Sequence, residues 1–225
     1  MATEADIGAR PRLAPRRRSR DQVIRACAEI FARRGFRETS IRDIAEALGV
    51  TKSALYHHIR SKDELLVEIV SSYQAHGEEL VAAARRAGPD PARSLATFVQ
   101  ELVLMNARDQ VMATLLSREL RSLKQPHLDN MLAIRDGYEG FVHGLILSGQ
   151  ATGRFRASID ARLATIAVFA LARSLHQWYR PDGRLSANEV AAGFESLILN
   201  GLLTEPATGT DAQTSSVVSR NQVRQ

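Results

Sequence analysis

Apolar residues recur along most of this chain at intervals of three and four, the spacing that gathers them on one face of an α-helix. Val23, Cys27, Ile30 and Phe31 form one such stripe; Ile41, Ile44, Ala45 and Leu48 form a second; Leu55 and Ile59 anchor a short third. The residues between stripes read as helix ends. Ser19 with Gln22, Ser61 with Glu64 and Ser186 with Glu189 have the spacing of capping boxes, in which the serine and the N3 side chain each accept a free backbone amide of the other. Asp90-Pro91 is a cap followed by proline at the first helical position, and Asp160 caps a further helix. Gly35, Gly49 and Gly153 close helices, Pro126 breaks one, and Arg180-Pro181-Asp182-Gly183 is a turn. No segment sustains strand alternation, so the predicted fold is all-α with about nine helices. They run from Ser19 to Gly35, Ser40 to Leu48, Lys52 to His58, Ser61 to the Ala-rich stretch before Gly88, and Pro91 to about Ala107. The rest run from Asp109 to Leu123, from beyond Pro126 to about Gln150, Asp160 to Trp178, and Ser186 to about Leu203.

Residues 39–66 carry the most specific chemistry. A helix-turn-helix needs a small residue where its helices cross, a turn residue free to be left-handed, and apolar anchors on both helices. Ala45, Gly49, and Ile44, Val50 and Leu55 meet those demands. Thr51 caps the second helix, and the anchors Leu55 and Ile59 leave Lys52, Ser53, Tyr56 and His57 pointing outward. The N-terminal end of such a helix contacts base edges in the major groove. Lysine at 52 can donate to guanine O6 and N7, and serine at 53 is small and tolerant. Tyr56 can give its hydroxyl to a phosphate or lay its ring on a thymine methyl, with His58 and Lys62 beside the next stretch of backbone. Thr39, Ser40 and Arg42 are placed to hold the opposite strand.

Charge changes the picture further. Residues 1–62 hold 14 basic and 7 acidic side chains, whereas the remainder holds 16 and 18. A cationic first third on a near-neutral body suits a polyanion met at one end. The arm, residues 1–18, with Arg20 beyond it, is polar and Arg-rich (Arg10, Arg12, Arg16, Arg17, Arg18); it either reaches along DNA or is a free solubilising tail. Cys27 is the only cysteine, so no intrachain disulfide forms. No run approaches the roughly 18 apolar residues of a membrane span, and the N-terminus lacks a signal-peptide core. The expected location is the cytoplasm, at the nucleoid.

The stretch GFRETSIRDIAEALGVTKSALYHHIRSKDELL resembles the N-terminal domain of TetR-type transcriptional regulators. Gly49, Val50, Thr51, Leu55, Tyr56, His58, Ser61 and Lys62 match that family's recognition helix and its flanks; Ile59 replaces a more usual aromatic. The resemblance implies phosphate contacts from Tyr56, His58 and Lys62, base contacts around Lys52 and Ser53, and a dimer that represses transcription until a small molecule enters the C-terminal domain. It divides the chain into the arm (1–18), a DNA-binding domain (19–66), an effector-binding and dimerisation domain (67–203) and a polar tail (204–225).

Within the body, Phe98, Leu102, Met105, Met112, Leu116, Tyr138, Phe141 and Leu145 are candidate cavity-lining residues, or ordinary core. Arg118 and Arg121 can anchor an anion or simply be solvated. Ala164, Ala167, Leu171 and Leu175, and then Val190, Phe194, Leu197, Ile198 and Gly201, form stripes on the last two helices that can pair with a second copy. The segment Gln177-Trp178-Tyr179-Arg180-Pro181-Asp182-Gly183 looks like the junction between those helices in a subset of these regulators. Some of that subset respond to CoA thioesters, which implies an acyl-CoA effector; a neutral lipophilic molecule is the other reading. The chain shows no glycine-rich phosphate loop, nucleophile elbow, metal pair or paired carboxylates. The expectation is a regulator with no catalytic residues, no metal and no cofactor. Activation in place of repression, and an architectural role without sequence preference, stay open.

Overall fold

Residues 19–204 are described by a computed structural model, apart from the side chains of residues 73–75. The Arg-rich arm and all but the first residue of the polar tail lie outside the described residues. Most of the helices begin where a side chain can take up their first free amides; the helix that follows Pro126 is an exception. Ser19 and Gln22 form the complete box at the head of α1 (Arg20–Arg34), and Ser186 and Glu189 form another at α9 (Ala187–Leu202). At α4 (Lys62–Arg86) Ser61 accepts from the Glu64 amide at 3.0 Å. A box that the serine–glutamate pattern does not reveal opens α2 (Ile41–Leu48). There Asp43, one methylene shorter than glutamate, accepts from the Ser40 amide at 2.7 Å.

Gly49 follows α2 at φ 65° and ψ 31°, the left-handed conformation a side chain would oppose. Thr51 then accepts from the Ala54 amide and starts α3 (Lys52–Tyr56). This helix ends two residues before the expected His58, because the His58 amide turns back to the Leu55 carbonyl at 2.9 Å. The body continues through α5 (Pro91–Arg108), α6 (Gln110–Glu119), a 3₁₀ turn (Leu120–Ser122), α7 (His127–Ala151) and α8 (Ala161–Trp178). The expected helix 109–123 is therefore an α-helix finished by a tighter turn. Among the described residues the β structure is one isolated bridge, Phe155 to Leu203, and no helix is long and apolar enough to cross a membrane.

Two hydrophobic cores share this framework. The head core joins α1, α2, α3 and the first half of α4, around Phe31, Ile44, Leu55, Leu65 and Ile69. Ile59, 4% exposed, fills the place of the expected aromatic in that core. The body core surrounds α5, whose Leu95, Phe98, Val99 and Val103 meet α4, α7, α8 and α9. α4 feeds both, with Leu65 to Val70 in the head and Leu80 and Ala84 in the body. α6 also divides its faces. Met112 and Leu115 enter the head core, Ala113 and Ser117 line a cavity on the body side, and Leu116, with Leu120 of the 3₁₀ turn, packs against the head core and also borders that cavity.

Candidate nucleic-acid interface and ligand cavity

Burial of Leu55 and Ile59 turns the opposite side of α3 to solvent. Lys52, Ser53 and His57 are exposed, His58 is half-buried, and Tyr56 is 53% exposed despite its large ring. Thr51 is exposed with its oxygen accepting from Ala54, which leaves its hydroxyl proton available outward. Arg42 stands exposed on α2. These residues form one continuous polar edge around the start of α3.

Three of the residues expected beside them are already committed inside the protein. Thr39 is 1% exposed, and its hydroxyl donates to the Gly35 carbonyl at 2.7 Å. Thr39 is therefore part of the joint between α1 and α2, not of the outer face. Ser40 is exposed, but its hydroxyl donates to Asp43 at 2.6 Å as part of the cap. Those bonds from Ser40 hold the Asp43 carboxyl below the usual aspartate range. Lys62 points back under the same joint: its ammonium donates to the carbonyls of Phe36 at 2.8 Å and Thr39 at 2.9 Å and lies 4.3 Å from the Phe36 ring centre. Its expected reach toward a phosphate is corrected accordingly, since the carbonyls and the ring occupy the ammonium. Arg20, grouped by the sequence with the arginines of the arm, is the first residue of α1 and pairs through two guanidinium nitrogens with Glu68 on α4.

The second site is a cavity of about 500 Å³ bounded by α4, α5, α6, the 3₁₀ turn, α7 and α8. Phe98, Leu102, Met105, Leu116, Arg121 and Tyr138 line it as expected. Met112 does not; at 7% exposure it packs in the head core, on the other face of α6. Phe141 does not either. Its ring packs against Phe98 at 5.9 Å and carries the Arg85 guanidinium at 5.5 Å, one turn along α7 from the cavity face. That face of α7 is Met131, Ile134, Arg135 and Tyr138, a stripe with helical spacing that the sequence contains and the expectation overlooked. α8 adds Phe169 and Arg173, four residues apart, and α4 adds Gly77. A Cβ on Gly77 would stand 2.4 Å from the Tyr138 hydroxyl, so the glycine lets that ring approach α4.

Phe98, Leu102 and Met105 of α5 give the cavity an apolar wall, and its lining also holds four arginines: Arg118, Arg121, Arg135 and Arg173. Arg135 pairs with Glu139 at 2.9 Å, and Arg118 donates to the Ala32 carbonyl of α1 at 3.3 Å. Partial burial, and then the like charge of Arg135, hold Arg173 below the ordinary arginine range, with Glu139 acting against that shift. Crowding of this kind is relieved by an anion. Burial followed by the charge of Glu78 raises the Tyr138 hydroxyl above its usual range, so it enters the cavity as a neutral donor and acceptor. Among the described residues no group of three His, Cys, Asp or Glu side chains could hold a metal ion.

The outer side of α8 and α9 carries a third feature. Leu163 is 64% exposed, Ile166 51%, Leu197 62% and Trp178 44%, with Ala167, Ala170, Gly193 and Gly201 exposed beside them. The stripes expected for pairing mix two faces. Leu175, Val190 and Ile198 are buried within the chain, and Ala164, Leu171 and Phe194 pack against the body core. Both helices are apolar around most of their circumference, so periodicity alone does not say which side turns inward.

Comparison with known proteins agrees with this geometry. A family model described as "Bacterial regulatory proteins, tetR family" matches residues 23–69, and one described as "Tetracyclin repressor-like, C-terminal domain" matches residues 88–202. The chain is 28% identical over 188 residues to the HTH-type transcriptional repressor KstR2 of Rhodococcus jostii, covering 81% of this chain and 90% of the relative. The crystal structure of a TetR family transcriptional regulator, PfmR from Thermus thermophilus, superposes with a TM-score of 0.69 at 34% identity, covering 82% of this chain and all (100%) of that one. The structure of AibR in complex with isovaleryl coenzyme A and operator DNA superposes with a TM-score of 0.70 at 23% identity, covering 79% and 96% of the two chains.

Proposed function

The chain belongs to the TetR family of bacterial regulators, and from that premise we propose that it represses transcription by holding a pseudo-palindromic operator as a homodimer and releases it when an acyl-CoA thioester enters the cavity. DNA-binding transcriptional regulation is the activity of the family. Repression, the dimer face and the effector are the finer reading. The observation that carries the effector assignment is a largely apolar cavity of about 500 Å³ with four arginines in its lining. An acyl chain suits the Phe98, Leu102 and Phe169 end, and the phosphates of CoA suit the arginines. A neutral lipophilic ligand would bring no counter-charge to Arg173, which burial and Arg135 already crowd. The name of the Rhodococcus relative, a repressor, and the isovaleryl-CoA bound to AibR point the same way.

In this reading residues 19–66 read DNA and residues 67–203 bind effector and partner. Lys52 and Ser53 meet base edges, while Thr51, Tyr56, His57, His58 and Arg42 meet phosphates. Leu163, Ile166, Trp178 and Leu197 are covered by the same residues of a second copy, because an exposed apolar patch of this kind marks an interface. The twofold axis then sets two α3 helices about one DNA turn apart, roughly 34–36 Å.

The experiment is a selection of duplexes from a random-sequence library, followed by release and thermal-shift measurements with isovaleryl-CoA, longer acyl-CoA thioesters, the corresponding free acids and a neutral steroid. The expected outcome is an enriched palindrome, with CoA thioesters raising Tm and releasing the duplex while free acids do so weakly. Release by the neutral steroid alone would remove the arginines from the effector role.

A further inference from the structure

Phe36 is gripped from two sides. Its N–H donates to Glu119 Oε1 at 3.1 Å, and its carbonyl accepts from Lys62 Nζ at 2.8 Å. Its ring is 5% exposed, packed edge-on against Phe31 at 5.2 Å and under the Lys62 ammonium. Lys62 also holds the Thr39 carbonyl, and Thr39 holds that of Gly35, which stands at φ 90°. The next residue, Ser40, is the N-cap of α2. The backbone that decides where α2 begins is therefore fastened by one residue of α4 and one of α6. Glu119 ends α6 on the side of Met112 and Leu115, which enter the head core, while its neighbours Ser117, Arg118 and Leu120 line the cavity.

We infer that Glu119 and Lys62 are positioning residues for DNA reading, which act on α2 and α3 through the Phe36 peptide without touching DNA. The inference rests on the DNA-reading role assigned above. It gives Glu119, on the effector-binding body, a part in operator affinity. It also takes Lys62 out of the phosphate contacts, because its ammonium is satisfied by carbonyls and a ring.

The test uses full-length protein on a duplex selected by the wild type and on a random duplex of equal length, each across a range of salt. Glu119→Ala is expected to weaken the selected duplex roughly tenfold, the loss of one charge-assisted hydrogen bond. The random duplex and the salt slope stay unchanged. Glu119→Gln, whose amide oxygen still accepts the Phe36 N–H, restores most of the affinity. Lys62→Met weakens the selected duplex and keeps the slope, whereas a phosphate contact would reduce the slope by about 0.9. Circular-dichroism melts show whether each variant is folded. If Lys62→Met is not, the two Glu119 variants decide. Wild-type affinity in Glu119→Ala, failure of Glu119→Gln to rescue, or a slope reduced by about 0.9 in Lys62→Met overturns this inference alone. A library from which the wild type selects nothing overturns the DNA-reading assignment and this inference with it.

Discussion

The head and the body are built from similar helices but filled differently. In the head, Phe31, Ile44, Leu55, Leu65 and Ile69 are each at most 1% exposed, and the hollow of about 420 Å³ beside α3 is bordered mainly by polar side chains, among them Arg20, His57, Glu64 and Glu68, outside that packed centre. In the body, Phe98 and Leu102 belong to the core and at the same time border about 500 Å³ of open space. A filled core holds one arrangement, because shifting any side chain costs its neighbours their contacts. A wall around a void has room to move and gains partners only when something enters. Presenting Lys52 and Tyr56 at a defined angle needs the first kind of packing. Responding to a ligand needs the second.

The largest expected difference lies in truncating a side chain on each side of this contrast. Leu55→Ala opens a cavity where none exists and is expected to cost about 2–5 kcal/mol, lowering Tm and abolishing selection of a specific duplex. Met105→Ala, at a half-buried side chain of the body that borders the existing void, is expected to cost under about 2 kcal/mol and to leave duplex selection intact. Equal losses in thermal melts would erase the distinction between the two regions.

A smaller effect separates charge from packing in the body. Arg173→Met removes a partly buried cation crowded by Arg135, so Tm of the free protein is expected to hold or rise slightly. Affinity for an acyl-CoA thioester should fall by about 1.5–3 kcal/mol in calorimetric titration. A fall in Tm without a loss of affinity would make Arg173 part of the scaffold. The smallest expected change is in the head surface. Lys52→Ala should leave Tm unchanged and relax preference at one base-pair position by about 1–3 kcal/mol. Unchanged preference at every position, measured by repeating the selection, would remove Lys52 from base reading.

Much of the head was legible along the chain. Serine caps, Gly49 and the stripe through Ile44, Leu48 and Leu55 are local signals that act within a turn or two of helix, and the structure keeps each of them. Ser40 was readable as a helix start, but its box with Asp43 escaped a search for the longer glutamate. The cavity was half legible. Phe98, Leu102 and Met105 lie on it because α5 is central to the body, and Arg135 shares a helical face with Tyr138 that spacing alone could have shown. Met112 was misplaced because α6 has two apolar sides, and nothing within ten residues of it says that one belongs to the head.

The sequence by itself determined the order of the helices, most of their starts, and which residues on α3 turn outward, since periodicity and capping are short-range properties of the chain. Tertiary structure decided the rest. Only packing of α4 and α6 against the α1–α2 joint directs Lys62 inward to the Phe36 carbonyl and brings Glu119, 83 residues away along the chain, onto the N–H of the same residue. Only the closing of α6, the 3₁₀ turn, α7 and α8 around a void brings four arginines from separate turns into one lining. A long, flexible cation carries no sign in its local sequence of whether it will meet solvent, a ligand or the protein's own carbonyls. That choice is made by whichever partner the fold places within its reach.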